Sequence, residues 1–197
     1  MRRNGLIGAA VAAATPFLLA AMAPQTGAVS GSVTAKGLRT NAGVVVSLQA
    51  PETTVTPPAK PLEMDQKGMV FAPHVMAVVR GTRVQFLNSD AVAHNVFSPE
   101  GKYNLGTWPQ GESREHAFDK PGVYTQLCRV HPEMEAFVVV LDTPYFAVTD
   151  KAGAFEIKDV PAGTYTLTAW SEKLKSSKQE VTVESGKPTL VELTLTR

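Results

Sequence analysis

The sequence predicts an all-β protein of the β-sandwich class. Short apolar or alternating runs recur along the chain, clusters of Gly, Pro, Asn and Asp separate them, and no long stretch with a 3.6-residue period competes with them. The runs lie at residues 43–48, 83–87, 123–127, 136–141, 154–157, 164–170 and 190–195. Several short strands separated by turn signals are typical of β-sandwiches.

Residues 1–28 are predicted to be an export signal. Arg2 and Arg3 supply a positive start, residues 5–23 are almost wholly small and apolar, and Ala23 and Ala28 each offer a cleavage point. The apolar run is short for a membrane span, so membrane anchoring is expected only if the leader is retained. The mature protein is therefore predicted to be periplasmic or otherwise exported.

The charge of the mature chain identifies no partner. Removal of the leader takes two of the 19 basic side chains and none of the 18 acidic ones, which leaves the rest close to neutral. Neither a basic stripe nor an aromatic RNA motif is present, so nucleic acid is not an expected partner. The remaining length of about 170 residues suffices for one large or two small domains.

The densest chemical signal surrounds Cys128, the only cysteine of the chain. His131 and Met134 follow it at short spacing, Pro132 favours a turn between them, and His94 lies 34 residues upstream. One thiolate and two imidazoles in a plane, with a thioether as a weak axial ligand, form the ligand set of an electron-transfer copper centre. The pattern therefore predicts a site for one copper ion that alternates between Cu(I) and Cu(II).

Other interpretations of Cys128 fit less well. Zinc accepts cysteine and histidine, but a thioether is a soft ligand that suits copper better. A nucleophilic cysteine needs a base and an oxyanion hole, and no signature of a thiol hydrolase surrounds this residue. Metal ligation also explains why an exported chain carries a single unpaired thiol, because an exposed one would be oxidised outside the cytoplasm.

Residues 64–144 resemble a cupredoxin of the plastocyanin and amicyanin type. The resemblance rests on Phe71-Ala72-Pro73, the strand start 81–86, Asn88-Ser89-Asp90, His94-Asn95-Val96, Gly122-Val123-Tyr124 and the loop 128–134. It implies a Greek-key β-sandwich with His94, Cys128, His131 and Met134 as copper ligands. It further implies that Asn95 lies beside the metal, with its backbone N–H bonded to the thiolate, and that His131 is the electron port.

A second block is similar to the small transthyretin-like, carboxypeptidase-regulatory β-sandwich. It comprises residues 149–157 and 160–167, and the strands that normally open this fold are similar to residues 31–34 and 42–48. We therefore expect a discontinuous, Ig-like domain from residues 29–50 and 145–197, with a proline-rich linker at 51–63 and the cupredoxin inserted after it. The alternative is a simple tandem in which residues 29–50 supply the first cupredoxin strand.

The expected function is transfer of single electrons between a donor and an acceptor redox protein, without enzymatic activity. No His-x-His pair is present, which argues against a multicopper oxidase. Arg129, Glu133 and Glu135 give the predicted copper loop a charged surface, which is expected to influence the choice of redox partner. Two alternatives stay open: periplasmic copper storage or delivery, and an envelope binding module with incidental copper.

Overall fold

The computed structural model describes residues 25–49 and 54–197, and over these ranges the chain is built from sixteen β-strands with no α-helix. The predicted all-β class is therefore confirmed. Apart from residues 25–28, the predicted leader lies outside the described residues. In the described ranges, no helix has the length and apolar character of a membrane span.

Seven strands, two near the start of the chain and five at its end, form one sandwich. Their bounds are β1 Thr26–Ala35, β2 Val45–Gln49, β12 Phe146–Val148, β13 Ala154–Pro161, β14 Gly163–Trp170, β15 Ser177–Val183 and β16 Pro188–Leu195. One sheet has the order β13-β1-β16 and the facing sheet has the order β12-β2-β14-β15. Apolar side chains from both sheets fill the space between them, among them the fully buried Val29, Leu48 and Leu167.

The nine strands between β2 and β12 form a second sandwich. Their bounds are β3 Leu62–Gln66, β4 Phe71–Ala72, β5 Val75–Val79, β6 Thr82–Asn88, β7 His94–Ser98, β8 Tyr103–Trp108, β9 Ser113–Phe118, β10 Gly122–Leu127 and β11 Glu135–Leu141. The sheet orders are β5-β11-β10-β7-β8 and β4-β3-β6-β9. Its core contains Phe86, Trp108 and Phe118, each at most 1% exposed.

The first sandwich is closed by pairing between distant parts of the chain. β2 pairs antiparallel with β12, and β1 pairs in parallel with β16. Gly31 of β1 lies so close to the backbone of β16 that a Cβ atom there would overlap the carbonyl oxygen of Val191. The two halves of this sandwich therefore join through backbone contact as well as through the core.

Two predicted segment limits differ from the strands that form. β1 begins at Thr26, inside the range assigned to the leader, and β3 begins at Leu62, inside the range assigned to the linker. Leu62 pairs in parallel with Val84, and Met64 on the same strand is fully buried. The polar composition of β3 conceals it in the sequence, because only Met64 of its five residues is a buried apolar side chain.

The two sandwiches pack against each other through an apolar contact. Val45 of β2 meets Val75 and Val139, which lie on β5 and β11, and all three are at most 8% exposed. Phe137 and Trp170 extend the contact with their ring centroids 5.7 Å apart. A cavity of about 650 Å³ opens beside it, with residues of both sandwiches in its wall.

Candidate metal centre

The topology of the five-stranded sheet brings His94 and Cys128 to the same end of the second sandwich. β7 and β10 are antiparallel neighbours paired at Phe97 and Leu127, so the start of β7 lies beside the end of β10. His94 is the first residue of β7 and Cys128 directly follows β10. The loop 128–134 then returns the chain to β11, and His131 lies within it.

Three of the predicted ligands converge. The ligand atoms of His94, Cys128 and His131 all lie within 4.8 Å of one another. The two Nδ1 atoms are 3.0 Å apart, and Nδ1 of His94 is 4.0 Å from Sγ of Cys128. Donors at about 2.0–2.3 Å from a transition-metal ion lie roughly 3.5–4 Å from each other in a trigonal plane. The separation of Nδ1 of His94 and Sγ of Cys128 has this size, whereas the two Nδ1 atoms lie closer together.

Met134, the fourth predicted ligand, lies in the same buried cluster as Cys128. Its side chain is 1% exposed, and its backbone N–H donates to the carbonyl of His131 at 3.0 Å. This hydrogen bond closes the turn of the loop that carries three of the four residues. The structure thus places the thioether of Met134 in the same buried cluster as the thiol of Cys128.

Asn95 forms hydrogen bonds with several segments around Cys128. Its backbone N–H points at Sγ of Cys128, with 3.4 Å between the atoms, and its side-chain amide donates to the carbonyl of Gly106 at 2.7 Å. Its side-chain oxygen accepts a hydrogen bond from the backbone N–H of Arg129 at 3.4 Å. Asn95 therefore joins β7, β8 and the ligand loop, and supplies a hydrogen bond to the sulfur of the kind that tunes a metal–thiolate bond.

Asp90 also belongs to the centre, although the sequence did not identify it as a site residue. One of its carboxylate oxygens accepts a hydrogen bond from Nε2 of His94 at 2.9 Å. Since an ionised carboxylate can only accept, Nε2 carries the proton and Nδ1 of neutral His94 keeps its lone pair. The hydrogen bond thereby turns the metal-binding nitrogen toward Cys128 and His131.

Asp90 is itself held in its charged form. The backbone N–H groups of Met69 and Gly68 donate to its carboxylate at 2.9 and 2.6 Å, and together with His94 they hold the pKa of Asp90 below its usual value of 3.8. These donors come from the turn between β3 and β4. The signal in the sequence was an acid four residues before a predicted ligand, but its partners on a remote turn could not be foreseen.

The donor set is buried and suits copper. His94 is 0% exposed and Cys128 is 3% exposed, while His131 is partly exposed at the surface end. Trp108, fully buried, pairs with His94 across β7 and β8. A thiolate, two imidazoles and a nearby thioether are soft and borderline ligands that favour copper, and the apolar shell keeps water away from them.

Histidine and methionine side chains outside this cluster make other contacts. Met64 and Met76 are buried core side chains, while His74 is directed to Glu135 and Glu172. His116 stacks on Tyr103 with ring centroids 3.8 Å apart, and burial lowers its pKa from the usual 6.5. Among the described residues, His94, Cys128 and His131 form the group of three metal-ligating side chains that lie close enough together to share one ion.

Comparison with known proteins assigns families to both sandwiches. Residues 59–141 match the family of copper binding proteins of the plastocyanin/azurin type, and residues 132–196 match the carboxypeptidase regulatory-like domain. The overlap, residues 132–141, contains β11, which pairs with β10 and β5 and so lies in the copper-binding sandwich. β1 and β2, which complete the other sandwich, precede the matched range.

The solved structures that match part of the chain include cupredoxins. An amicyanin mutant with Cu(I) is 23% identical, with 41% of this chain and 82% of that chain covered and a TM-score of 0.40. A purple cupredoxin from Nitrosopumilus maritimus is 26% identical over 41% of this chain and 99% of that chain, with a TM-score of 0.38. A copper-containing nitrite reductase from Thermus scotoductus is 24% identical over 49% of this chain and 25% of that chain, with a TM-score of 0.41.

No curated protein matches the chain. The predicted resemblances are nevertheless confirmed by the two family matches, and the convergence of His94, Cys128 and His131 agrees with the copper-binding description. The chain therefore combines a segment that matches the plastocyanin/azurin family of copper binding proteins with one that matches the carboxypeptidase regulatory-like domain, and copper is its cofactor.

Proposed function

We propose that this protein is an exported type 1 copper protein that carries single electrons between a donor and an acceptor redox protein. The observation that supports the proposal most strongly is the convergence of a buried thiol, a buried imidazole and a partly exposed imidazole, whose ligand atoms lie within 4.8 Å of one another. The copper-binding family match points in the same direction. We infer His94, Cys128 and His131 as the planar ligands and Met134 as the axial one.

The residues of the centre favour electron transfer over chemistry on a bound substrate. Copper supplies a one-electron couple when it is bound at this site. Asp90 and Asn95 hold His94 and Cys128 through hydrogen bonds, so the donors are expected to keep their positions in both oxidation states. Burial of His94, Cys128 and Met134 excludes water, and the protein is accordingly proposed to be a carrier and not an enzyme.

The partly exposed His131 is proposed as the route by which electrons enter and leave. Val130, its neighbour in the loop, is 50% exposed, and Val92 on the adjacent loop is 47% exposed. Arg129 lies over the ring of Phe97 at 4.9 Å and supplies a positive charge near this surface. A redox protein with a small apolar surface and a complementary charged rim is the proposed partner, and charge is expected to act mainly on the rate of encounter.

Copper binding at Cys128 can be tested by adding Cu(II) to the purified mature protein. The expected result is an intense thiolate-to-copper charge-transfer band that Cys128→Ser abolishes, because serine supplies no thiolate. His116→Asn is the matched control, since His116 lies outside the centre and its loss leaves the band in place. A colourless wild type, or a band that persists in Cys128→Ser, contradicts the proposal.

Storage or delivery of copper predicts a different exchange rate. A site whose sulfur and first histidine are at most 3% exposed is expected to release copper slowly to a chelator, whereas a delivery protein gains from rapid release. We therefore expect electron exchange with a small redox reagent to be much faster than transfer of copper to a chelator. Transfer of copper to the chelator that is faster than electron exchange favours delivery.

Export is proposed on the composition of the leader alone. The mass of the protein isolated from the expressing cell tests it, because cleavage after Ala23 or Ala28 removes residues 1–23 or 1–28. Recovery of the full-length chain from the cytoplasm contradicts export.

A further inference from the structure

His74 lies between the two domains, outside the copper centre. It precedes β5, and its ring reaches two acceptors that belong to different domains. Nδ1 is 3.0 Å from the carbonyl oxygen of Glu135 at the start of β11, and Nε2 is 2.9 Å from the carboxylate of Glu172 in the regulatory-like domain. The ring thus bridges residues that are far apart in sequence.

Both hydrogen bonds require the ring to donate. A carbonyl oxygen and an ionised carboxylate can only accept, so each hydrogen bond forms when the ring nitrogen that faces the acceptor carries its N–H. Burial alone raises the pKa of Glu172, but hydrogen bonds from Lys173 and His74 outweigh it and keep the pKa below the usual 4.5. Glu172 is 16% exposed at its side chain and is held by Lys173 at 2.9 Å, so the acceptor is well placed.

Apolar contacts reinforce the bridge. The ring of His74 meets Phe137 edge-on with centroids 5.6 Å apart, and Phe137 in turn contacts Trp170 of the regulatory-like domain. Trp170 is two residues before Glu172. One short segment of the regulatory-like domain therefore contacts the ring of His74 through Glu172 and supports it through Trp170 and Phe137.

The backbone of His74 also forms a hydrogen bond with the start of β11. Its carbonyl oxygen accepts a hydrogen bond from the backbone N–H of Phe137 at 2.8 Å, while its ring donates to Glu135. Glu135 directly follows Met134, the proposed axial ligand. The position at which the ligand loop joins β11 is thus set from two sides by one residue.

We propose that His74 is a positioning residue through which the regulatory-like domain sets the place of Met134 and so tunes the reduction potential of the copper centre. The proposal rests on the proposed function, because it takes Met134 as the axial ligand, whose distance and identity tune such centres. In this proposal the regulatory-like domain influences electron transfer without binding a ligand itself. The side chain of His74 is 51% exposed, so the bridge is expected to contribute little to stability and to act through geometry.

The first experiment compares reduction potentials of copper-loaded variants. We expect His74→Ala and Glu172→Gln to shift the potential in the same direction, and the double variant to shift it no further than the larger single change, because both remove one bridge. His74→Gln, which keeps one N–H donor group, is expected to give a smaller shift than His74→Ala. Glu184→Gln is the matched control, since it removes a carboxylate paired with Lys187 on an exposed surface of the same domain.

The second experiment needs no copper. In the metal-free protein, Glu172→Gln is expected to move the backbone amide NMR signals of Ala136 and Phe137, whereas Glu184→Gln leaves them in place. Fluorescence of Trp170, isolated by Trp108→Phe, reports whether the domains stay packed. Unmoved amide signals overturn the bridge whatever the metal does.

The outcomes separate this inference from the proposed function. A wild type without a thiolate-to-copper band refutes the function. A wild type with the band whose potential is the same in His74→Ala, Glu172→Gln and Glu184→Gln refutes the role of His74 and leaves the function intact. Additive shifts in the double variant also overturn it, because they show two independent effects.

Discussion

Replacing Asp90 by asparagine removes one of the two carboxylate oxygens that hold the copper end of the domain together. One oxygen accepts from Gly68, and the other accepts from Met69 and from Nε2 of His94. An asparagine amide can accept at one position only and presents an N–H group at the other. At least one hydrogen bond to a charged acceptor is therefore lost, and an unfavourable contact between donors replaces it.

The expected cost follows from the number of bonds lost. A hydrogen bond to a charged group contributes about 1.5–3 kcal/mol, and we take the lower end, about 1.5 kcal/mol, because the side chain lies near the surface. With a urea dependence of about 1–3 kcal/mol per molar, the denaturation midpoint of the metal-free protein falls by roughly 0.5–1.5 M. Copper affinity is expected to fall about tenfold or more, since residues that orient a ligand histidine have effects of that size.

Urea unfolding followed by fluorescence measures the first effect, and competition with a chelator measures the second. Glu112→Gln is the control, because it removes a carboxylate that pairs with Arg114 on an exposed strand edge. An Asp90→Asn protein with the midpoint and the copper affinity of the wild type refutes the role assigned to this carboxylate.

Two further predictions concern stability. Gly31→Ala forces a methyl group against the carbonyl oxygen of Val191, which a backbone held in a sheet cannot easily avoid. Such overpacking costs about 3 kcal/mol, so calorimetry should show a Tm lower by about 6–12 °C. The control is Ser32→Ala at an exposed site, and a Gly31→Ala protein with the same Tm as this control contradicts the contact. For Glu100, burial acts to raise the pKa, but hydrogen bonds from its own backbone N–H, from Thr125 and from Ser98 outweigh it and hold the pKa below the usual 4.5. The contribution of Glu100 to the free energy of unfolding is therefore present above pH 4.5 and is lost as the pH falls through the lower pKa of the folded state. Glu100→Gln should flatten the dependence of stability on pH in that acid range. Parallel stability curves for the variant and the wild type contradict this prediction.

The sequence predicted the metal cluster because its information is local. Cys128, His131 and Met134 occupy one short loop, so their spacing alone suggests convergence, and His94 completes the pattern. The all-β class was equally accessible, since turn residues separate short apolar runs throughout. Both predictions depend on neighbours in the chain, and the structure and the family matches confirm the fold class and the cofactor.

Contacts between segments that are distant in the chain could not be predicted from the sequence. Asp90 orients His94 only because the turn at Gly68 and Met69 folds back onto it. His74 meets Glu172 across 98 positions of sequence. No periodicity or motif encodes such pairs, which arise when two sheets and two domains pack together. The predicted domain limits stay predictions, and so does the role of each ligand, which the copper-binding experiments above address.

The pairing of β2 with β12 links the folding of one domain to that of the other. β2 ends at Gln49 and β12 begins at Phe146, and the copper-binding domain lies in the part of the chain that joins the two strands. An unfolded loop of this length carries a closure entropy that the regulatory-like domain must overcome, whereas a folded one already holds its ends close together. A metal that stabilises the inner domain is therefore expected to raise the melting temperature of the outer one, which supplies none of its ligands.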